Sequence, residues 1–242
     1  MKLFDCTFPT PAANLAADEV LLDHCEEQGV EVLRFWESSL PFVVVGYGNK
    51  IPTEVNVAAC EARGVPVLRR CSGGGTVVQG PGCLNYAVTL RVGKTPELAT
   101  VTGANRFVME RIRAAIQTLL EKQVSVEGHT DLAIRDGNQL LKFSGNAQRR
   151  RRESILFHGT ILYALDLSLV SELLNPPSKQ PEYRADREHS RFITNICAAE
   201  ANLKRTLSLT WNANDPLPNP PLAAVETFSR ERYCTPAWNA DR

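Results

Sequence analysis

The sequence predicts an α+β fold, a mixed or mainly antiparallel sheet flanked by helices. Three observations lead there. Short runs rich in β-branched residues, such as Pro41-Phe42-Val43-Val44-Val45-Gly46, read as buried strands. Thr102–Glu121 repeats its apolar residues at helical spacing. The turn Arg135-Asp136-Gly137-Asn138 separates two apolar runs, as in a hairpin. Strands joined by hairpins as well as by helices argue for α+β rather than a regular βα alternation.

Each element has its own signal. Asn14–Cys25 predicts an amphipathic helix, with Leu15, Val20, Leu21 and Leu22 near helical spacing. Glu31–Trp36 alternates like a strand, and Pro41–Gly46 follows as a second. Val55–Gly64 reads as a helix stopped by its glycine. Val65–Arg70 is a strand running into a triple-glycine loop, and Leu84–Val92 is the strand leaving it. Thr102–Glu121 presents Phe107, Val108, Ile112, Ala115, Ile116, Leu119 and Leu120 on one face. Leu132–Ile134 and Leu140–Phe143 form the hairpin, and Ile155–Leu162 a further strand. Leu167–Leu174 is a short helix ended by Pro176-Pro177. Residues 177–191 are polar and charged, a long loop. Ile193–Leu209 reads as helix, Asn212–Pro221 as surface loop and Val225–Arg232 as a last helix.

The 242 residues, 43% of them hydrophobic, suit one large domain. Lysine and arginine total 27 against 27 acidic residues, so no global field points to nucleic acid or a membrane surface. No apolar run reaches the roughly 18 residues of a membrane span, and Met1–Cys6 lacks a signal-peptide layout. The seven cysteines are scattered without a C-x-x-C pair, which favours free thiols in a reducing cytoplasm over a disulfide framework or zinc site.

Two stretches concentrate the chemistry. In Arg69-Arg70-Cys71-Ser72-Gly73-Gly74-Gly75-Thr76, bare backbone lets phosphate oxygens reach peptide N–H groups. Successive arginines on a strand point to opposite faces, so one can face a phosphate while the other pairs structurally. No Gly-Lys-Ser/Thr follows and the context is strand–loop–strand, so this is not a Walker loop; the GxGxxG spacing is also absent. Gln79, on the same loop, and Asn85, at the start of the exit strand, can reach the same ligand, or Asn85 can cap the loop. In the second stretch, Lys142 stands among Leu140, Leu141 and Phe143, an unusual place for a lysine. The Ser144-Gly145-Asn146-Ala147 that follows is small enough for close approach of a ligand. Asp131 can accept from a ligand amine or orient Lys142. Of Arg149-Arg150-Arg151-Arg152, at least two are expected in solvent at a hairpin tip, with acidic-partner docking as the other use. The site that emerges handles an anionic, phosphorylated intermediate.

Eight segments, in order along nearly the whole chain, resemble the lipoate–protein ligase family. They are Asn14-Leu15-Ala16-Ala17-Asp18-Glu19, Arg34-Phe35-Trp36, Val45-Gly46-Tyr47-Gly48-Asn49, the Arg69–Gly75 loop with Leu84-Asn85-Tyr86, Gly128-His129-Thr130-Asp131-Leu132, Lys142–Ala147, and His158-Gly159-Thr160. Tyr233 and Trp238-Asn239 are similar to the sequence that closes that family's large domain. The resemblance implies the fold of biotin protein ligases and class II aminoacyl-tRNA synthetase cores. It implies adenylation by ATP with Mg2+: the lipoate carboxylate attacks the α-phosphate, and a lysine of a lipoyl-acceptor domain then takes the acyl group from lipoyl-AMP. By carry-over, Lys142 contacts the carbonyl and phosphate oxygens as the catalytic residue. Arg70, Ser72, Gly73, Gly74, Gly75, Thr76, Val77 and Gln79 line the lipoyl and phosphate path. Asn85 and Asp131 contact the intermediate or the incoming amine, and Ser144, Gly145, Ala147, His158, Gly159 and Thr160 complete the adenylate site. Val45, Val77 and Tyr47 flank an acyl tunnel.

The chain also departs from the family. Many such ligases carry a histidine where this chain reads Val78-Gln79-Gly80. The expectation is a single catalytic domain over residues 1–242 without the C-terminal accessory domain, working alone or with a separate accessory subunit. The rival is an octanoyl- or lipoyl-transferase of the same fold, which uses a cysteine and no ATP. That cysteine precedes the lysine motif in the bacterial transferases, and Gln123-Val124-Ser125-Val126-Glu127 has none; Cys71 and Cys83 read as packing residues. A non-catalytic module that binds lipoate or a lipoyl domain is the third reading, and the retained Lys142 argues against it. A biotin ligase has a different glycine loop.

Overall fold

Thr10 starts the first helix. Its extended backbone and its hydroxyl, which accepts the Ala13 N–H at 3.2 Å, cap the first turn, and Pro11 occupies the position where no N–H is needed. The computed structural model describes residues 1–240. In chain order it has β1 (Lys2–Asp5), α1 (Pro11–Gln28), β2 (Val32–Trp36), β3 (Phe42–Val45), α2 (Ile51–Glu54) and α3 (Val57–Arg63). Then come β4 (Val67–Arg69), β5 (Val77–Gln79), β6 (Cys83–Arg91), α4 (Val101–Gln117), β7 (Val124–Glu127), β8 (Asp131–Asp136) and β9 (Gln139–Ser144). The chain continues through β10 (Asn146–Arg150), β11 (Ser154–Leu162), α5 (Ser168–Leu173), α6 (His189–Phe192), α7 (Glu200–Thr210), β12 (Asp215–Pro216), α8 (Leu222–Phe228) and α9 (Pro236–Asn239).

Three sheets result. The largest runs β10-β11-β6-β2-β1-β12 and mixes parallel with antiparallel pairs. A second, β4-β3-β5, is also mixed, and β7-β8-β9 is an antiparallel meander. Register across the large sheet decides what the site receives. Arg34, Ala87, His158 and Ala147 lie in one row, and Trp36, Asn85 and Thr160 in the next row of the same face. Trp36, Ala87 and Leu156 on that face pack with Leu15, Ala16 and Leu22 of α1 and with Phe42 and Val44 of the second sheet. The opposite face, with Phe35, Tyr86 and Phe157, packs on Val108, Ile112 and Ile116 of α4 and Leu203 and Leu207 of α7. The candidate site lies on the α1 face.

Several expectations change. The glycine loop ends at Thr76, and Gln79 sits on a strand, β5, because Val77–Gln79 pair with Phe42–Val44. Helix α4 ends at Gln117, whose side-chain amide donates to the Leu120 and Lys122 carbonyls just beyond. The helix expected from Ile193 begins only at Glu200. Residues 193–199 find backbone partners elsewhere: Thr194 N–H donates to the Lys142 carbonyl and Ile196 N–H to that of Leu162, both at 2.9 Å. The helix expected over Val225–Arg232 is α8, continued by a wide turn over Ser229–Tyr233, and α9 follows it. The arginine run is not a solvated tip. Arg149 and Arg150 belong to β10, Arg151 pairs with Glu19 and Asp23, and Arg152 alone, at 91% side-chain exposure, stands in solvent. Strands β1, β7 and β12 had no clear sequence signal. Among the described residues no helix is long and apolar enough to cross a membrane.

Candidate active site

The glycine loop is held from inside by two arginines that point opposite ways. Arg69, fully buried, gives Nη1 to the carbonyls of Gly46, Tyr47 and Asn49 at 2.8–3.1 Å. The C-terminal segment anchors its backbone, through Trp238 Nε1 to the Arg69 carbonyl and Asn239 Oδ1 from the Arg69 N–H, both 2.8 Å. Arg70 turns to the site wall. Its Nε meets Ser72 Oγ at 3.0 Å, and its Nη2 meets the carbonyls of Gly73 and Gly75 at 2.7 Å; burial pushes its pKa down to about 10. Asn49 Nδ2 takes the Gly74 carbonyl at 3.0 Å. With these carbonyls engaged, the N–H groups on the opposite edges of the same trans peptides are left for an anion. Gly74, at φ 90°, is required: a Cβ there would meet Arg70 Nη2 at 2.9 Å.

Beneath the loop runs a buried hydrogen-bonded line. Ser72 Oγ meets His158 Nε2 at 2.6 Å, His158 Nδ1 meets Asp18 Oδ2 at 3.0 Å, and Asp18 Oδ1 meets Arg34 Nη1 at 2.5 Å. Burial alone would raise the Asp18 carboxyl, but Arg34 and His158 outweigh it and hold it below the usual carboxylate range. The Asp18 carboxylate accepts from His158 Nδ1, and His158 Nε2 shares the next hydrogen bond with the Ser72 hydroxyl. The order matches a serine-hydrolase triad. Ser72, however, is 1% exposed, is absent from the cavity wall, and has its oxygen occupied by Arg70. The line therefore positions the loop, and His158 and Asp18 form part of the floor.

The other half comes from the meander. Lys142 Nζ on β9 meets Asp131 Oδ1 on β8 at 2.8 Å, and Tyr183 Oη donates to Asp131 Oδ2 at 2.8 Å. Asp131 thus pairs with Lys142. Burial first, then the Asp131 carboxylate, pushes the Tyr183 hydroxyl far up. A Cβ on Gly145 would stand 3.1 Å from Lys142 Cε and Nζ, so the glycine leaves the lysine its place. Asn146 locks the adjoining turn, through Nδ2 to the Thr130 carbonyl and Ser144 Oγ and through Oδ1 from the Tyr86 hydroxyl. Residues 177–192 close over this half. Tyr183 packs on Phe192 at 5.2 Å, and the buried Arg184 lies over the same ring at 4.7 Å. The two halves enclose a cavity of about 860 Å³.

The sequence pattern of the lipoyl protein ligase A/B catalytic domain matches residues 10–208. The chain belongs to that family. It is 32% identical over 169 residues to a protein of Aeropyrum pernix named "Putative lipoate-protein ligase A", covering 69% of this chain and 59% of that protein. It is 28% identical to octanoyltransferase LipM of Geobacillus kaustophilus, over 100% of this chain and 98% of the relative. Its fold matches a bi-partite lipoate protein ligase from Thermoplasma acidophilum, solved in work on that ligase and its E2 lipoyl domain, with TM-score 0.83, 21% identity and coverage of 98% and 95% of the two chains. It also matches a lipoate-protein ligase A bound with ATP, with TM-score 0.79, 21% identity and coverage of 98% and 97%. The chain is thus an enzyme of the family that holds both lipoate ligases and octanoyltransferases, and its fold is that of the ligases.

Of the residues this family resemblance singled out, the cavity brings together Arg70, Gly74, Gly75, Thr76, Val77, Gln79, Asn85, Asp131, Lys142, Ser144, Gly145, Ala147, His158, Gly159 and Thr160. Ser72 lies buried behind the wall, and Gly73 is exposed outside it. Asn85 donates to the Cys83 carbonyl at 3.2 Å, its capping role, while still facing the cavity. Val45 and Tyr47 do not flank it. Val45 packs with Val55, Cys60 and Leu173 on the far side of the second sheet, and Tyr47 packs on Trp238. Sequence reasoning missed Asp18, Trp36 and Tyr183 as wall residues. Asp18 had a signal, since Asn14, Asp18 and Glu19 are polar residues within a helix that is otherwise largely apolar. No group of three metal-ligating side chains occurs among the described residues. Glu127 and Glu182 on the wall are the carboxylates left by the pairs above, enough for a Mg2+ bound chiefly by phosphates.

Proposed function

We propose that this enzyme attaches lipoate to a lysine of a lipoyl-acceptor domain by way of lipoyl-AMP made from ATP. One observation carries the reading: among the described residues no cysteine lines the cavity. Cys71 and Cys83 are buried, and burial raises the Cys71 thiol to about 12 and pushes Cys83 higher still. Without a thiol to carry the acyl group, the carboxylate needs activation by a phosphoryl group. The parts present suit that step. The loop N–H groups hold the phosphate, Lys142 meets the charge that moves between carboxylate and phosphate, and Asp131 aims it. Leu15, Trp36 and Val77 offer the acyl chain an apolar slot. Mg2+, held at Glu127 or Glu182, would offset phosphate charge. The ATP-bound ligase and the bi-partite ligase studied with its lipoyl domain, both of this fold, support ATP as substrate, a lipoyl domain as partner and a separate accessory subunit.

A second reading, octanoyl transfer without ATP, is favoured by the full-length match to an octanoyltransferase. The test is lipoate- and Mg2+-dependent ATP–pyrophosphate exchange by this chain, run beside octanoyl–carrier protein with an acceptor domain and no ATP. Exchange alone supports ligation; acyl transfer in the second arm sinks it.

A further inference from the structure

The covering segment brings to the cavity a histidine that the chemistry above leaves unused. His189, on α6, is half-buried and lines the wall. The chain just after α6 lies on the lysine strand: Ile193 bridges to Lys142, and the Thr194 N–H donates to the Lys142 carbonyl at 2.9 Å. His189 Nε2 lies 3.2 Å from the Asn175 carbonyl. A carbonyl only accepts, so Nε2 carries the proton, and in the neutral ring Nδ1 is the basic nitrogen. Burial first, then Arg184 and Lys142, lower the pKa of the ring below the usual histidine value, against the Asn175 bond, so it is neutral at pH 7. Those two are the charged groups that face it, from the covering segment and from β9; α5 faces the cavity with the apolar Val170 and Leu174. The other bases of the wall are committed or exposed. Asp131 serves Lys142 and Tyr183, Asp18 serves Arg34 and His158, and His158 is held between Asp18 and Ser72. Glu127 accepts from Ser125, and Glu182 and His129 are exposed. An acceptor lysine arrives as an ammonium ion, and its nitrogen must lose a proton to form an amide.

We infer that His189 Nδ1 takes that proton and is the general base of the acyl-transfer step. The inference rests on the reading above, that an acceptor lysine is acylated in this cavity, and adds a residue to it. In the step, the amine nitrogen forms its bond to the acyl carbon and the bond from that carbon to the AMP oxygen breaks. AMP leaves with the electron pair, and the amine proton passes to Nδ1 and on to solvent. The first step, attack of the carboxylate on the α-phosphate, moves no proton and does not use the base. The two half-reactions therefore separate the role of His189 from that of Lys142. His189→Gln keeps an N–H donor for the Asn175 carbonyl and removes the basic nitrogen.

The test is single-turnover transfer from purified lipoyl-AMP to an acceptor lipoyl domain, with ATP–pyrophosphate exchange measured beside it, in the wild type and His189→Gln. At pH 7 transfer by the variant should fall about 100-fold, with exchange changed far less. The deficit should narrow as pH rises toward about 10, where the lysine amine sheds its proton unaided. His189→Ala carries the test if His189→Gln does not fold, and added imidazole should restore part of its transfer. A transfer deficit under about threefold, or one independent of pH, overturns the inference and leaves the reading above standing. Exchange that falls as far as transfer also overturns it, since that marks a misplaced covering segment rather than a lost base. If the wild type transfers no acyl group from lipoyl-AMP, the reading above fails and the inference with it.

Discussion

The loop half and the lysine half of the site are built to different standards. Arg34, Asp18, Arg69 and His158 of the loop half are buried, and each has a hydrogen-bonded partner within the large sheet, α1 or the turn that follows β3. Lys142 of the lysine half keeps 24% of its side chain exposed, and Asp131 keeps 15%. They sit on a three-stranded meander and are covered by a segment that reaches them through Tyr183. A buried charge stripped of its partner is strongly destabilising, whereas a partly exposed one loses less because water reaches it. The loop half is therefore part of what holds the fold, and the lysine half is the less firmly tied of the two.

That contrast can be broken at its strongest point first. Lys142→Ala should lower ATP–pyrophosphate exchange about 100- to 1000-fold, the scale of losing one charge-stabilising group. Its melting temperature should stay within about 2 °C, because the removed side chain leaves only a partly exposed carboxylate behind. A variant that keeps its exchange activity removes Lys142 from the mechanism, and one that melts far lower ties the two halves together.

Asp18→Asn should do the reverse and cost about 3 kcal/mol of stability by stranding Arg34, or roughly 6–12 °C for a chain of this size. Its pH dependence has a fixed sign. The folded Asp18 titrates below its unfolded value of about 3.9, so its stabilisation is complete above that pH and fades as pH falls through the folded value. The gap between wild type and Asp18→Asn in thermal melts should thus be wide at neutral pH and narrow as pH drops below about 4. A gap independent of pH would mean that Asp18 is not held ionised.

The smallest effect belongs to Tyr183→Phe, which removes one hydrogen bond to Asp131. It should cost less than about 1 kcal/mol in denaturant unfolding. Because the lost contact aims Lys142, acylation measured as kcat/KM should fall several-fold. Loss of stability on the scale of Asp18→Asn would show that the covering segment is as integral to the fold as the loop half.

Local signals carried far in the sequence, and stopped at definite places. The glycine loop, the lysine among apolar neighbours and the small turn after it were all legible, and they do line one cavity. The family resemblance placed the apolar Val45 beside the acyl slot. In a strand, however, alternate residues face opposite ways: Val44 joins the Trp36 cluster while Val45 joins the one beneath α3 and α5. A short strand in a second sheet carries no mark of which face is inside. The helix expected at Ile193 failed for a related reason, since its backbone partners lie on β9 and β11 rather than one turn away.

The amino-acid sequence by itself determined much of the local structure and its chemistry: the strand Pro41–Gly46, the bare glycine loop and the lysine on a hairpin. Those depend on backbone sterics and on neighbours within a few residues. Only the tertiary structure decided that Asp18 meets His158 across 140 residues, that His158 meets Ser72 across 86, and that Tyr183 shares Asp131 with Lys142. Such pairs depend on sheet register and on which face each strand turns inward, and these are settled by burial of the whole core at once.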